Sequence, residues 1–194
     1  MFAKSLAGLL VCLFSHACLA QTITTQAIVW STTKLTWDDF QEQGSFNHGA
    51  DTHWMLLMKI PDTSFSAVPD SLLLPIKALF VPALSWVKPE RRRSSYLLAH
   101  EQLHFDIVEW QARELRKELS ELQLTATKWK REVEKRRRQT LSRIRKLQER
   151  YDEETNHSRN ESAQARWISE VQEKLTSLDA FAATGIWLRI CACK

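Results

Sequence analysis

Glycine and cysteine are the scarce residues in this chain, four of each among 194, with five prolines. So little Gly and Pro excludes a collagen-like or low-complexity chain, and 44% hydrophobic content with eight tryptophans can supply a packed core. Two cysteines, Cys12 and Cys18, lie in the first twenty residues. The remainder of the chain keeps only Cys191 and Cys193, which excludes a disulfide framework and reads as an incidental pair on a tail. The N-terminal apolar run, Leu6 to Phe14, is too short to span a bilayer comfortably. With Lys4 before it and Cys18-Leu19-Ala20 after it, the run reads as a secretory signal over residues 1–20, cleaved before Gln21. The expected location is therefore the periplasm or the extracellular space. Residues 21–194 are the right size for a single domain.

Along that domain, Ile23 to Trp30 alternates and is rich in β-branched residues, which suits a half-buried strand. Thr36 can cap a short helical turn carrying Trp37 and Phe40 on one side. Gly44 to Gly49 reads as loop and Thr52 to Ile60 as a second strand. Pro61, Pro69, Pro75 and Pro82 predict short pieces, with Leu79 to Trp86 at most an interrupted or edge strand. After Pro89 there is no proline or glycine until Gly185, and helical periodicity takes over. Leu97, His104, Val108, Ala112, Leu115, Leu119 and Leu122 form the stripe of a first long helix; Trp129, Val133, Thr140, Ile144, Leu147 and Tyr151 form that of a second. The connection near Gln123 to Thr127 is weakly marked. A third helix is predicted from about Ser162 to Phe181. The fold class expected is α+β: a small N-terminal sheet packed on a long antiparallel helical hairpin, closed by a C-terminal helix.

If Leu122 lies opposite Trp129, counting along the two arms brings His104 near Leu147 and His100 near Tyr151. The segment Tyr151 to His157 then returns to the neighbourhood of His100-Glu101-Gln102-Leu103-His104. Two histidines four apart project from one helix face on successive turns, close enough to reach one Zn²⁺. Glu101, beside the first, can accept a proton from the attacking water and hand it to a leaving amine. A catalytic zinc takes a third protein ligand, for which His157, Glu154 and Asp152 on the returning segment are the candidates. Glu154 fits the simple register best, since Leu147, Tyr151 and Glu154 share a face. His157 is the better donor by chemistry, and Asp152 can orient it from behind. Tyr151 can steady the oxyanion of a tetrahedral intermediate. His48 and His53 read as loop and strand residues without a metal role.

These pieces resemble a family of secreted bacterial proteins of unknown function described as predicted zinc-dependent proteases. The resemblance rests on Leu35 to Phe40, Ser85 to Val87, Leu97 to Ile107, Tyr151 to His157, and Gln164 with Trp167, in that order along most of the chain. It implies a zincin-like metallopeptidase. Its tyrosine, aspartate, threonine and histidine pattern falls on Tyr151, Asp152, Thr155 and His157, and so favours His157 over Glu154 as third ligand. Glycine commonly follows the glutamine of the first motif and the histidine of the second in that family, where this chain has Leu103 and Ser158.

Between Lys128 and Arg150 stand eleven Lys or Arg against three Glu. Such a face can attract an anionic envelope polymer, although a solvated helix surface is the ordinary reading. Without interleaved aromatics on an exported chain, nucleic acid is not expected. The function expected is hydrolysis of a peptide or protein substrate by a zinc-activated water with Glu101 as general base. The alternatives are a zinc amidase acting on cell wall, and a non-catalytic exported helical module that binds a partner or an anionic surface.

Overall fold

The structure, a computed structural model, describes residues 26–43, 49–61 and 70–191. The expected signal, the start of the first expected strand, His48 and Cys193 lie outside the described residues. The architecture is α+β. In chain order the strands are β1 (Ile28–Val29), β2 (Ala50–Asp51), β3 (Trp54–Met58), β4 (Ser71–Phe80), β5 (Trp86–Val87), β6 (Leu124–Thr125) and β7 (Gly185–Cys191); the helices are α1 (Ser95–Ser120), α2 (Trp129–Thr155) and α3 (Glu161–Ser177). Among the described residues, no helix is long and apolar enough to cross a membrane.

The prolines divide the chain less than expected. β4 is a ten-residue strand with Pro75 inside it, paired antiparallel with β3 through Ile76 to Phe80 and with β7 through Ser71 to Pro75. Proline is tolerated there for a reason of phase. The Ile76 N–H bonds the Thr184 carbonyl, so alternate residues of β4 point their N–H groups toward β7 and the rest point the other way. The donor Pro75 lacks would face the other edge, beyond the last β3 pair, Met58 with Ile76.

The sheet is also not confined to the N-terminal half. β7, to which the sequence reading assigned no element, pairs along β4, and the weakly marked connection between the long helices forms β6, parallel to β7. In β7, Leu188 and Ile190 point inward while Trp187 and Arg189 stay exposed, the period-2 pattern of a strand covered on one face.

α1 lies between this sheet and the other two helices. Ser94 caps it by accepting from the Leu97 N–H at 3.1 Å. Phe105, Val108, Ala112, Leu115 and Leu119 pack toward Leu74, Ile76, Phe80, Leu188 and Ile190, together with Trp129, Val133 and Ile144 of α2. Its opposite side contributes Leu103, Ile107 and Trp110 to a second cluster with Tyr151, Trp167, Val171 and Leu175. Every residue from His100 to Arg113 is buried. Helices buried all round are ordinarily apolar, yet this stretch carries eight polar or charged residues, so each needs a partner inside the protein. One end of that set forms the site described next.

Candidate metal centre

The antiparallel α1–α2 hairpin meets in the register obtained by counting. The His100 and Tyr151 rings stack with centroids 4.6 Å apart and planes 24° from parallel, and His104 meets Tyr151 edge-on at 4.9 Å. One residue beyond Tyr151, Asp152 reaches over the two histidines. His100 Nε2, His104 Nε2 and Asp152 Oδ1 then form a triangle with all three sides 3.2 Å. Donors of a tetrahedral zinc with bonds of about 2.0–2.1 Å stand roughly 3.3 Å apart, so three such atoms fit one metal ion and leave a fourth position open.

The far side of each imidazole shows why the lone pairs converge. His100 Nδ1 lies 3.2 Å from Gln164 Oε1, and His104 Nδ1 bonds Gln148 Oε1. Neither amide is free to turn round: Gln164 Nε2 donates to the Tyr96 carbonyl at 3.1 Å, and Gln148 Nε2 donates to the His104 carbonyl at 2.9 Å. Each glutamine therefore presents an acceptor, which holds the proton of each neutral ring on Nδ1 and turns the bare Nε2 toward the triangle. Gln164→Leu and Gln148→Leu are each expected to weaken metal binding roughly 10- to 100-fold, measured by competition with a chromophoric chelator. Unchanged affinity would mean that the amides do not set the tautomers.

Electrostatics agree with this arrangement. Burial pushes the His100 pKa down. Burial acts the same way on His104, but its bond to Asp152, the charges of Glu101 and Asp152 and the bond to Gln148 outweigh it and raise His104 to about 9. Burial would raise Asp152; its bonds to the two histidines prevail and hold it well below the ordinary carboxylate range. Without metal the triangle thus holds a proton at His104. A metal ion held by the three donors would take that proton's place, and acid would compete with its binding.

Glu101 faces the same cleft from the floor. Its Oε2 accepts the Thr52 hydroxyl at 2.8 Å, and burial raises its carboxyl to about 7 against the opposing effects of His104 and Thr52. The cleft, about 520 Å³, is walled by Gly49, Ala50 and Asp51 on one side and by the turn after α2 on the other. β2 passes close to α1: a Cβ at Gly49 would lie 3.3 Å from Leu97 Cδ2.

The remaining residues singled out by sequence are placed as follows. His157 lines the cleft, 62% exposed, with Nδ1 3.8 Å from Asp152 Oδ1 and outside the donor triangle. Glu154 lies away from the triangle, accepting from Trp167 Nε1 and Arg166 Nη2, each at 2.8 Å. Tyr151 is fully buried behind the histidines, donates to the His100 carbonyl at 3.4 Å, and does not line the cleft. His53 is exposed and apart from the site. Asp152, one of the three candidate ligands by sequence but favoured there only as an orienting residue, closes the triangle, while Gln148 and Thr52 were overlooked. Gln148 has a visible signal, a polar residue on the apolar stripe between Ile144 and Tyr151; Thr52 has none.

Residues 83–158 match the model of a family described as bacterial protein of unknown function, DUF922. The matched stretch runs from the turn before β5 to the turn after α2 and so contains His100, Glu101, His104, Asp152 and His157. Comparison with curated proteins and with solved structures gives no match.

Proposed function

We propose that this chain is an exported zinc-dependent peptidase. The observation that carries the reading is the 3.2 Å triangle of two imidazole nitrogens and one carboxylate oxygen, beside a buried glutamate, on the floor of an open cleft. A donor set of nitrogen and oxygen at these separations suits zinc. The chemistry a bound zinc ion supplies is Lewis acidity, which polarises a carbonyl and brings the pKa of a water molecule to about 7. Glu101 takes the proton of the attacking water, since its carboxylate is the buried base at the cleft floor and the Thr52 hydroxyl fixes one of its oxygens. The same group returns the proton to the leaving amine.

A peptide is the favoured substrate because of β2. Gly49 accepts from the Lys88 N–H at 2.9 Å, so in the alternating antiparallel pattern Ala50 turns its own N–H and carbonyl away from β5. Ala50 lines the cleft, and an extended chain can pair with it there. Export rests on the N-terminal sequence alone.

The test uses the mature chain and labelled β-casein. Cleavage should disappear on dialysis against a chelator and return with about one equivalent of zinc per chain. Zinc-loaded protein that leaves casein and a mixed peptide library intact would overturn the peptidase reading.

A further inference from the structure

Three consecutive non-glycine residues at the end of α2 are left-handed: Asn156 at φ 49°, His157 at φ 50° and Ser158 at φ 65°. Asparagine and histidine are among the non-glycine residues that enter this region most readily, but they do so singly, and a run of three persists only where surrounding bonds impose it. Here they do. The His157 N–H donates to the Asp152 backbone carbonyl at 2.9 Å, the Arg159 and Asn160 N–H groups both donate to the Thr155 carbonyl, and Asn160 goes on to cap α3.

The turn redirects His157. Thr155 is buried against the body of the protein, and a continued helix would carry residue 157 about 200° further round, onto the solvent side. The left-handed run instead brings the imidazole back to the cleft rim, 3.8 Å from the oxygen of Asp152 that belongs to the donor triangle. It stands outside the triangle and lines the cleft that the triangle faces. An aligned imidazole N–H at such a place meets charge as it develops on the substrate.

Resting on the hydrolase reading above, we infer that His157 is a catalytic residue that binds the substrate's carbonyl oxygen as it becomes an oxyanion, rather than a ligand of the metal. As the water oxygen bonds to the carbonyl carbon, its proton passes to Glu101 and the π pair moves onto the carbonyl oxygen, which accepts the His157 N–H. The pair then re-forms the carbonyl, the C–N bond breaks, and the amine leaves with the proton from Glu101.

The test compares wild type with His157→Ala and His157→Gln in the mature chain. Elemental analysis should find one zinc per chain in all three, with equal thermal midpoints. Affinity for an N-phosphoryl dipeptide, whose tetrahedral anion imitates the reacting centre, should fall about 100-fold in His157→Ala, as should casein turnover, with KM little changed, and should fall less in His157→Gln, whose amide N–H can still donate. Acetohydroxamate, which needs only the metal, should bind all three alike. Loss of zinc in His157→Ala would make it a ligand and overturn the inference, as would unaltered turnover and phosphoryl-dipeptide affinity. Zinc-loaded wild type that neither cleaves casein nor binds acetohydroxamate would overturn the hydrolase reading itself, and this inference with it.

Discussion

Glu101→Gln is expected to keep one metal ion per chain and to lose about 100- to 10,000-fold in casein turnover, the range general-base catalysis supplies. The amide has the size of the carboxylate and can still accept the Thr52 hydroxyl, so the cleft floor should keep its shape. What it cannot do is take a proton. Because Glu101 is no member of the donor triangle, metal content separates this effect from damage to the site. Turnover within a fewfold of wild type would remove Glu101 from the chemistry.

Arg116→Ala is expected to lower stability by about 3–5 kcal/mol, the cost of breaking a buried ion pair from one side. Arg116 is 1% exposed and ties two other parts of the fold to α1. Its guanidinium donates to Glu109 Oε1 at 3.0 Å, to the Phe181 carbonyl at 2.8 Å and to the Ile76 carbonyl at 2.9 Å. The last closes a seam in the sheet: β1 and β7 meet the same edge of β4 end to end, and the Ile76 carbonyl lies between them. Truncation leaves both carbonyls unpaired and Glu109 with Arg113 alone, whose Nε lies 3.0 Å away. For a chain of this length the midpoint should fall by roughly 10 °C. Calorimetry showing an unchanged Tm would mean the network contributes nothing net.

How far these features can be read without coordinates differs from residue to residue. The pairing of His100 with Tyr151 follows from counting along two uninterrupted apolar stripes, because a helical hairpin without proline or glycine has little freedom of register. α1, its histidine spacing and the third helix follow from periodicity in the same way. β7 also had its signal, Ile186, Leu188 and Ile190 alternating with Trp187 and Arg189, but the segment after the third helix received no assignment from the sequence. Pro75 misled because its effect depends on which edge its missing donor faces, which only the lengths of β3 and β7 decide.

The third donor was harder for a related reason. Asp152, Glu154 and His157 lie within two turns, so assignment depends on rotation about the helix axis and on where the helix stops. Imidazole is the better zinc donor, which favoured His157. The left-handed run beginning at Asn156 places that ring outside the triangle, while Asp152, one position past the buried Tyr151, completes it. The roles of Gln148 and Gln164 need the orientation of two side-chain amides, which local sequence does not encode.

The most direct measurement is elemental analysis of the mature chain after incubation with zinc and removal of excess, set beside single variants. Wild type and Glu154→Ala should each hold one metal ion per chain, and His100→Ala, His104→Ala and Asp152→Ala should hold none. Retention of metal by Asp152→Ala, or a wild-type chain that takes up no zinc, would contradict the centre described here.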